Sequence, residues 1–163
     1  MKAKPRTPPL SAIKLHGKKF DGPIVYTGPL DELFLARFGR LPYRSLDFVY
    51  ETFDKEHVLP CGTVNFTVTE DYTRITEFKY LTGQKSDKTT IMKEYPRAYE
   101  DPNTQTPYYA ILSDENRAHY ERYRALTAKL PNFYPLGRLA EYRYYNMDVI
   151  IGRALALADE LVG

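Results

Sequence analysis

The chain has 163 residues, a formal net charge of +2, one cysteine, 12 prolines, and 15 tyrosines with no tryptophan. That length builds one domain or a large piece of one, a lone Cys61 excludes an internal disulfide and suits a reducing compartment, and no apolar run reaches membrane-spanning or signal length. A soluble, cytoplasmic protein is expected, with no nucleic-acid partner, because Lys2, Lys4, Arg6, Lys14, Lys18 and Lys19 hold the excess charge and leave the body net acidic.

In chain order, residues 1–19 read as a basic, Pro-rich tail and residues 20–163 as the folded part. PIVYTGP (Pro23–Pro29) predicts a short buried strand stopped by Gly28-Pro29. LDELFLARFG predicts a short helix with acids in its first turn and Gly39 past its end. From Tyr43 the period becomes two. YRSLDFVYETF reads as one strand, and TVNFTVT as another with Val64, Phe66 and Val68 on one face. TRITEFKYL and TTIMKEYP complete an antiparallel set, joined by a turn over Gly83–Lys88. SDENRAHYERYRALTAKL predicts a helix capped by Ser113, with Tyr120, Tyr123 and Leu126 at helical spacing. NFYPLGRL reads as a return strand. A last helix, Met147 to Val162, carries Met147, Ile150, Ile151, Ala154, Ala158 and Leu161 along one stripe. The expected class is α+β, a mainly antiparallel sheet with flanking helices.

The scattered His16, His57 and His119 exclude metal-ligand spacing, and the nine glycines contain no G-x-G-x-x-G, P-loop or nucleophile elbow. Arginines carry what chemistry remains. On extended strands, Arg44 points with Leu46 and Phe48, Arg74 with Thr76, Phe78 and Tyr80, and Arg138 with Ala140, Tyr142 and Tyr144. An inward guanidinium needs an anion, which leaves two readings: a buried Arg–Glu pair or wet edge strand, or a diphosphate-type ligand. The adjacent tyrosines of PYYA and YRYYNM offer phenols to such a ligand, and Asn146 reads as the N-cap of the last helix, an anion-friendly end.

The stretches VYTGPLDELF, YRSLDF, YTRITEFKY, KEYPRAYE, PYYAI and GRLAEYRYYNMD, in this order and spacing from about Phe20 to Val162, resemble the UDP-galactopyranose mutase family. The resemblance implies a reduced-FAD isomerase that interconverts UDP-galactopyranose and UDP-galactofuranose, with the covalent work done by the cofactor. It implies that Arg74 neutralises the UDP diphosphate, that Tyr109 and Tyr144 bond those phosphates, and that Asn65 is a further UDP contact. Arg44 falls at an active-site arginine position. Arg138 and the helix start, Asn146, Met147, Asp148 and Ile150, fall at FAD contacts, with Asn146 standing where the family usually has Asp. The resemblance covers only the second half of such an enzyme. A C-terminal piece is therefore expected, inactive alone, whose partner is a flavin-binding half on which the last helix docks. Left undocked, that helix would favour a homo-oligomer. The alternative is a non-catalytic nucleotide-sugar or phosphate-binding module.

Overall fold

The computed structural model describes residues 14–163, so most of the expected basic tail lies outside the described residues. Lys14–Leu15 (β1) and Lys18–Lys19 (β2) pair as a small antiparallel hairpin. The other elements are β3 (Ile24–Tyr26), α1 (Leu30–Leu33), β4 (Tyr43–Phe53), β5 (Thr63–Asn65), β6 (Arg74–Glu77), α2 (Phe78–Thr82), β7 (Thr89–Ala98), β8 (Tyr109–Ala110), α3 (Asp114–Thr127), β9 (Phe133–Pro135) and α4 (Met147–Val162). The larger sheet has the order β5-β6-β7-β4-β8, with β5/β6, β6/β7 and β4/β7 antiparallel. A second sheet pairs β3 with β9 in parallel. The class is α+β.

The chain divides into two compact units, one comprising the residues up to Tyr43 together with Tyr109–Gly163, the other Arg44–Tyr108. In the first, tyrosine does the work that Leu or Trp does elsewhere. Leu30, Leu41, Tyr120, Tyr123, Ala140, Tyr142 and Tyr145 are all buried. Three of these hydroxyls also tie down irregular backbone: Tyr120 Oη donates to Ala140 O at 3.0 Å, Tyr142 Oη to Pro42 O at 2.7 Å and Ile111 O at 3.0 Å, and Tyr123 Oη to Gly39 O at 2.5 Å. Burial pushes the Tyr120 and Tyr142 phenols up to about 12, so they stay protonated donors. A buried carbonyl left without a donor costs about 1–3 kcal/mol, which is why loops this irregular need such anchors.

The helix expected across residues 30–38 stops at Leu33. Leu35 and Ala36 take positive φ, and the turn brings Leu41 N–H to Asp31 Oδ2 (3.2 Å) and Phe38 N–H to Tyr123 Oη (2.9 Å). Tertiary bonds override local helix preference here. Asp31 is fully buried and its Oδ1 finds no partner among the described residues; burial raises its pKa. The α3 expectation holds, with Ser113 Oγ accepting from Asn116 N–H at 3.1 Å.

The second unit has a thin apolar core. Ile75 and Ile91 are its buried aliphatics, beside buried Ser45, Thr76, Glu77, Lys79, Thr89 and Glu94. The strand expected to run on past Glu77 turns into α2, so Phe78 and Tyr80 do not share a strand face with Arg74. Glu77, the last strand residue, is heavily bonded at this point. Its carboxylate accepts from Leu59 N–H (2.7 Å), Val58 N–H (3.1 Å) and Thr89 Oγ1 (2.7 Å), and His57 Nδ1 lies at 3.2 Å. It thereby fastens the loop between β4 and β5 to the sheet. Buried Lys79 does the same from α2, donating to Glu56 O (2.7 Å) and Ser86 O (2.5 Å). Gly83 closes α2 in the left-handed region, at φ 68°. The strand expected over TVNFTVT ends at Asn65; Val68, at 88% exposure, belongs to no apolar face.

Candidate functional site

In the second unit, strand register aligns Asn65, Arg74, Glu94 and Phe48 in one row across β5, β6, β7 and β4. Arg74 Nε donates to Asn65 Oδ1 at 2.9 Å, and its terminal nitrogen lies 3.6 Å from Glu94 Oε1. The guanidinium is therefore held from both sides while about two-fifths of its side chain (41%) stays exposed. Glu94, buried, is the partner that reading the sequence missed. Its signal is the register, because only the antiparallel pairing of β6 with β7 sets Glu94 opposite Arg74.

Arg44 shares this sheet face, since β4 residues of its parity pair with β7 residues of Glu94's parity. It is exposed, however, not turned into an apolar interior, because the buried neighbours are Tyr43 and Ser45. It lies two strands and four residues from Arg74, roughly 16 Å by strand spacing. The structure does not bring the two arginines together.

In the first unit, the stretch from Gly137 to Asp148 runs through turns to Tyr142 and an irregular segment into the last helix, and is not the extended segment its alternation suggests. Gly137 (φ 107°) and Tyr142 (φ 49°) take left-handed conformations. Glu141 organises the turn: Gly137 N–H donates to Oε2 at 2.9 Å, Tyr145 Oη to Oε1 at 3.1 Å, and Arg153 pairs with Oε1. The expected common side of Arg138, Ala140, Tyr142 and Tyr144 breaks up accordingly. Ala140 and Tyr142 go to the core, whereas Tyr144 is 62% exposed.

Arg138 instead meets Tyr109. Its guanidinium carbon lies 5.0 Å from the Tyr144 ring centroid and 5.8 Å from that of Tyr109, and the two rings are 6.5 Å apart at 30°. Arg138 Nε donates to Tyr145 O at 2.8 Å, which fixes the side chain to the turn. A cleft of about 620 Å³ elsewhere in this unit includes Arg124, Arg143 and Arg153, but Arg124 and Arg153 are paired with Glu121 and Glu141.

Asn146 stands at the N-cap of α4, but its side chain makes no capping bond, contrary to expectation. Ile150 N–H is bonded to Asn146 O, so the amides of the first turn ahead of it remain open. Met147 is 76% exposed and Asp148 is exposed. α4 buries none of its residues; Ile151 and Leu155 of its apolar surface are exposed, and Ile150 is half-covered. Among the described residues, no helix is long and apolar enough to cross a membrane.

The sequence matches the model of the family described as UDP-galactopyranose mutase over residues 9–144. The chain belongs to the UDP-galactopyranose mutase family. Over 144 residues it is 38% identical to the UDP-galactopyranose mutase of Mycoplasma pneumoniae, a match that takes in 86% of this chain and 36% of that protein. It is similarly 38% identical to a probable UDP-galactopyranose mutase of Klebsiella pneumoniae, over 85% of this chain and 36% of the relative. The dTDP-fucopyranose mutase of Escherichia coli is 31% identical over 85% of this chain and 37% of its own length. The chain thus spans a little over a third of the length of these relatives. Arg44, Asn65, Arg74, Tyr109, Arg138 and Tyr144 lie inside the matched span, and Asn146 to Ile150 lie beyond it.

Proposed function

We propose that this chain contributes the UDP diphosphate subsite of a cytoplasmic, flavin-dependent nucleotide-sugar mutase acting on UDP-galactopyranose and UDP-galactofuranose. The observation that carries the reading is Arg74, held by Asn65 on one side and Glu94 on the other with part of its guanidinium facing solvent. A cation fixed before the ligand arrives needs no reorganisation as negative charge develops on a departing diphosphate. In the other unit Tyr109 and Tyr144 offer phenolic donors of the kind a phosphate accepts, and Arg44 gives the sheet face a second positive charge.

The start of α4 fits part of FAD. Open first-turn amides after Asn146 are donors, and Asp148 in that turn opposes a polyanion, so this end suits a flavin ring carbonyl better than a pyrophosphate. Asn146, Met147, Asp148 and Ile150 would hold the ring there. Bound reduced FAD supplies the electron-rich centre that works at the anomeric carbon. This chain's residues orient the nucleotide and stabilise its charge. A flavin-binding half is the partner that completes the site, and α4 is the surface offered to it.

Calorimetric titration of the 163-residue chain with UDP tests the reading. Binding is expected to weaken as salt rises and to fall at least tenfold in Arg74→Ala, as for a lost charge-assisted contact. Salt-independent binding, or an Arg74→Ala variant that binds as the parent does, refutes the subsite. Binding without turnover of UDP-galactofuranose after addition of a flavin-binding half would favour the non-catalytic nucleotide-sugar module.

A further inference from the structure

Arg138 differs from the paired arginines around it. Among the described residues it forms no ion pair, and Glu141, the nearest acid in sequence, is engaged by Gly137, Tyr145 and Arg153. One nitrogen is committed to Tyr145 O, and the guanidinium lies beside two tyrosine rings that come from distant parts of the chain. Tyr109 belongs to a two-residue strand and Tyr144 to the irregular segment before the last helix, so neither has a long regular element to fix its ring. Tyr144 is mostly exposed, and an exposed tyrosine samples several side-chain rotamers. A cation shared by both rings restricts that freedom, with each contact contributing about 0.5–1 kcal/mol at an exposed site.

We propose that Arg138 is a positioning residue: it sets the rings of Tyr109 and Tyr144 relative to each other, so that their phenols are presented together to a phosphate. This rests on the phosphate-binding reading of the two tyrosines. The guanidinium lies over both rings and is fixed at Nε, and its charge strengthens both contacts. Lysine keeps the charge but can neither lie flat beside two rings nor hold a fixed Nε bond to the Tyr145 carbonyl. Arg138→Lys should therefore behave like Arg138→Gln, which separates positioning from simple attraction of an anion.

Two measurements on the full 163-residue chain test this. The first is NMR with ring-labelled tyrosine, with Tyr109 and Tyr144 assigned by their Tyr→Phe variants. A cross-relaxation contact between the two rings is expected in the parent and is expected to vanish in both Arg138→Gln and Arg138→Lys. Unchanged signals from the buried Tyr120 and Tyr142 rings report that the fold is intact. A ring contact that survives in both variants overturns the proposal.

The second is a UDP titration in a mutant cycle. Arg138→Gln and Arg138→Lys should each lower affinity about tenfold in the parent, and less than twofold when Tyr109→Phe and Tyr144→Phe are already present. Equal losses in both backgrounds mean that Arg138 acts on the ligand by itself and overturn the positioning role. If the parent shows the ring contact but does not bind UDP, the phosphate reading fails and the claim of presentation to a phosphate falls with it. The ring data then still decide whether Arg138 sets the two side chains.

Discussion

Replacing Glu77 with glutamine removes one charge from a fully buried carboxylate and changes almost nothing in shape, so it isolates what that charge does. Oε2 accepts from Val58 and Leu59 N–H, and Oε1 from Thr89 Oγ1 and, at 3.3 Å, from Val58 N–H as well, with His57 Nδ1 nearby. If the new amide nitrogen takes the Oε2 place, two backbone donors face a donor. If it takes the Oε1 place, the Thr89 hydroxyl rotates to accept, Val58 N–H keeps its shorter bond to the other oxygen, and the loss is confined to the charge, the His57 contact and the longer Val58 branch (3.3 Å). The second arrangement is cheaper and sets the expectation. With hydrogen bonds to a charged group contributing about 1.5–3 kcal/mol each, Glu77→Gln should lower stability by roughly 2–4 kcal/mol at neutral pH. The pH dependence has a definite sign. Burial alone would raise the Glu77 pKa, but bonds from Thr89, Leu59, Val58 and His57 outweigh it and hold the pKa below the ordinary carboxylate value. A depressed folded-state pKa adds stability that is full above the unfolded value, about 4.3, and is lost as pH falls through the folded value. The gap between parent and variant in urea unfolding should therefore close in acid. Hydrogen exchange at Val58 and Leu59 should speed up in the variant before global unfolding. A gap below about 0.5 kcal/mol at pH 7, or one that stays constant into strong acid, refutes the anchoring role.

Tyr142→Phe removes one hydroxyl that serves both Pro42 O and Ile111 O, and should cost about 1–3 kcal/mol in denaturant unfolding, with no change in UDP affinity. Asn146→Asp places a carboxylate at a helix start whose present side chain makes no cap, and should raise the thermal midpoint slightly, for a gain of about 0.3–1 kcal/mol that fades with salt. An equal gain at high salt would mean that the new residue stabilises by hydrogen bonding and not by its charge.

The long regular elements were legible because hydrophobic periodicity separates strand from helix, even where, as in α4, the apolar stripe is not buried. Tyr43–Phe53 and Met147–Val162 lie where alternation and the apolar stripe place them, and α3 begins at its serine cap. Failures cluster where a single tertiary bond redirects the backbone. The α1 helix gives way at Leu35 to the bonds of Asp31 and Tyr123, and the β6 strand gives way at Phe78 beside the carboxylate of Glu77. No local pattern encodes a bond to a residue 85 positions away, such as Phe38 N–H to Tyr123 Oη. The candidate site divides in the same way. Arg74 was identifiable as an arginine out of place on a strand, but its partner Glu94 needed the register. Arg138 was assigned a side by an alternation that the turn at Tyr142 abolishes.

The abundance of tyrosine without tryptophan has a structural origin that also bears on function. A phenol combines an apolar ring with one hydroxyl at its far end, which suits a core bounded by loops whose carbonyls need donors. Tyr120, Tyr123 and Tyr142 use that hydroxyl inward, on Ala140, Gly39 and Pro42. Tyr144 stands only two residues past Tyr142, just beyond the turn that ends at Tyr142 in left-handed backbone, yet it is exposed where Tyr142 is buried. Replacing Tyr144 should therefore spare the fold and affect only what the exposed ring binds. The converse holds for Tyr142, although the two lie in one motif and look equivalent in sequence. Any functional test of this motif that exchanges its tyrosines together confounds a core residue with a site residue, and only single substitutions at Tyr144 and Tyr142 separate the two effects.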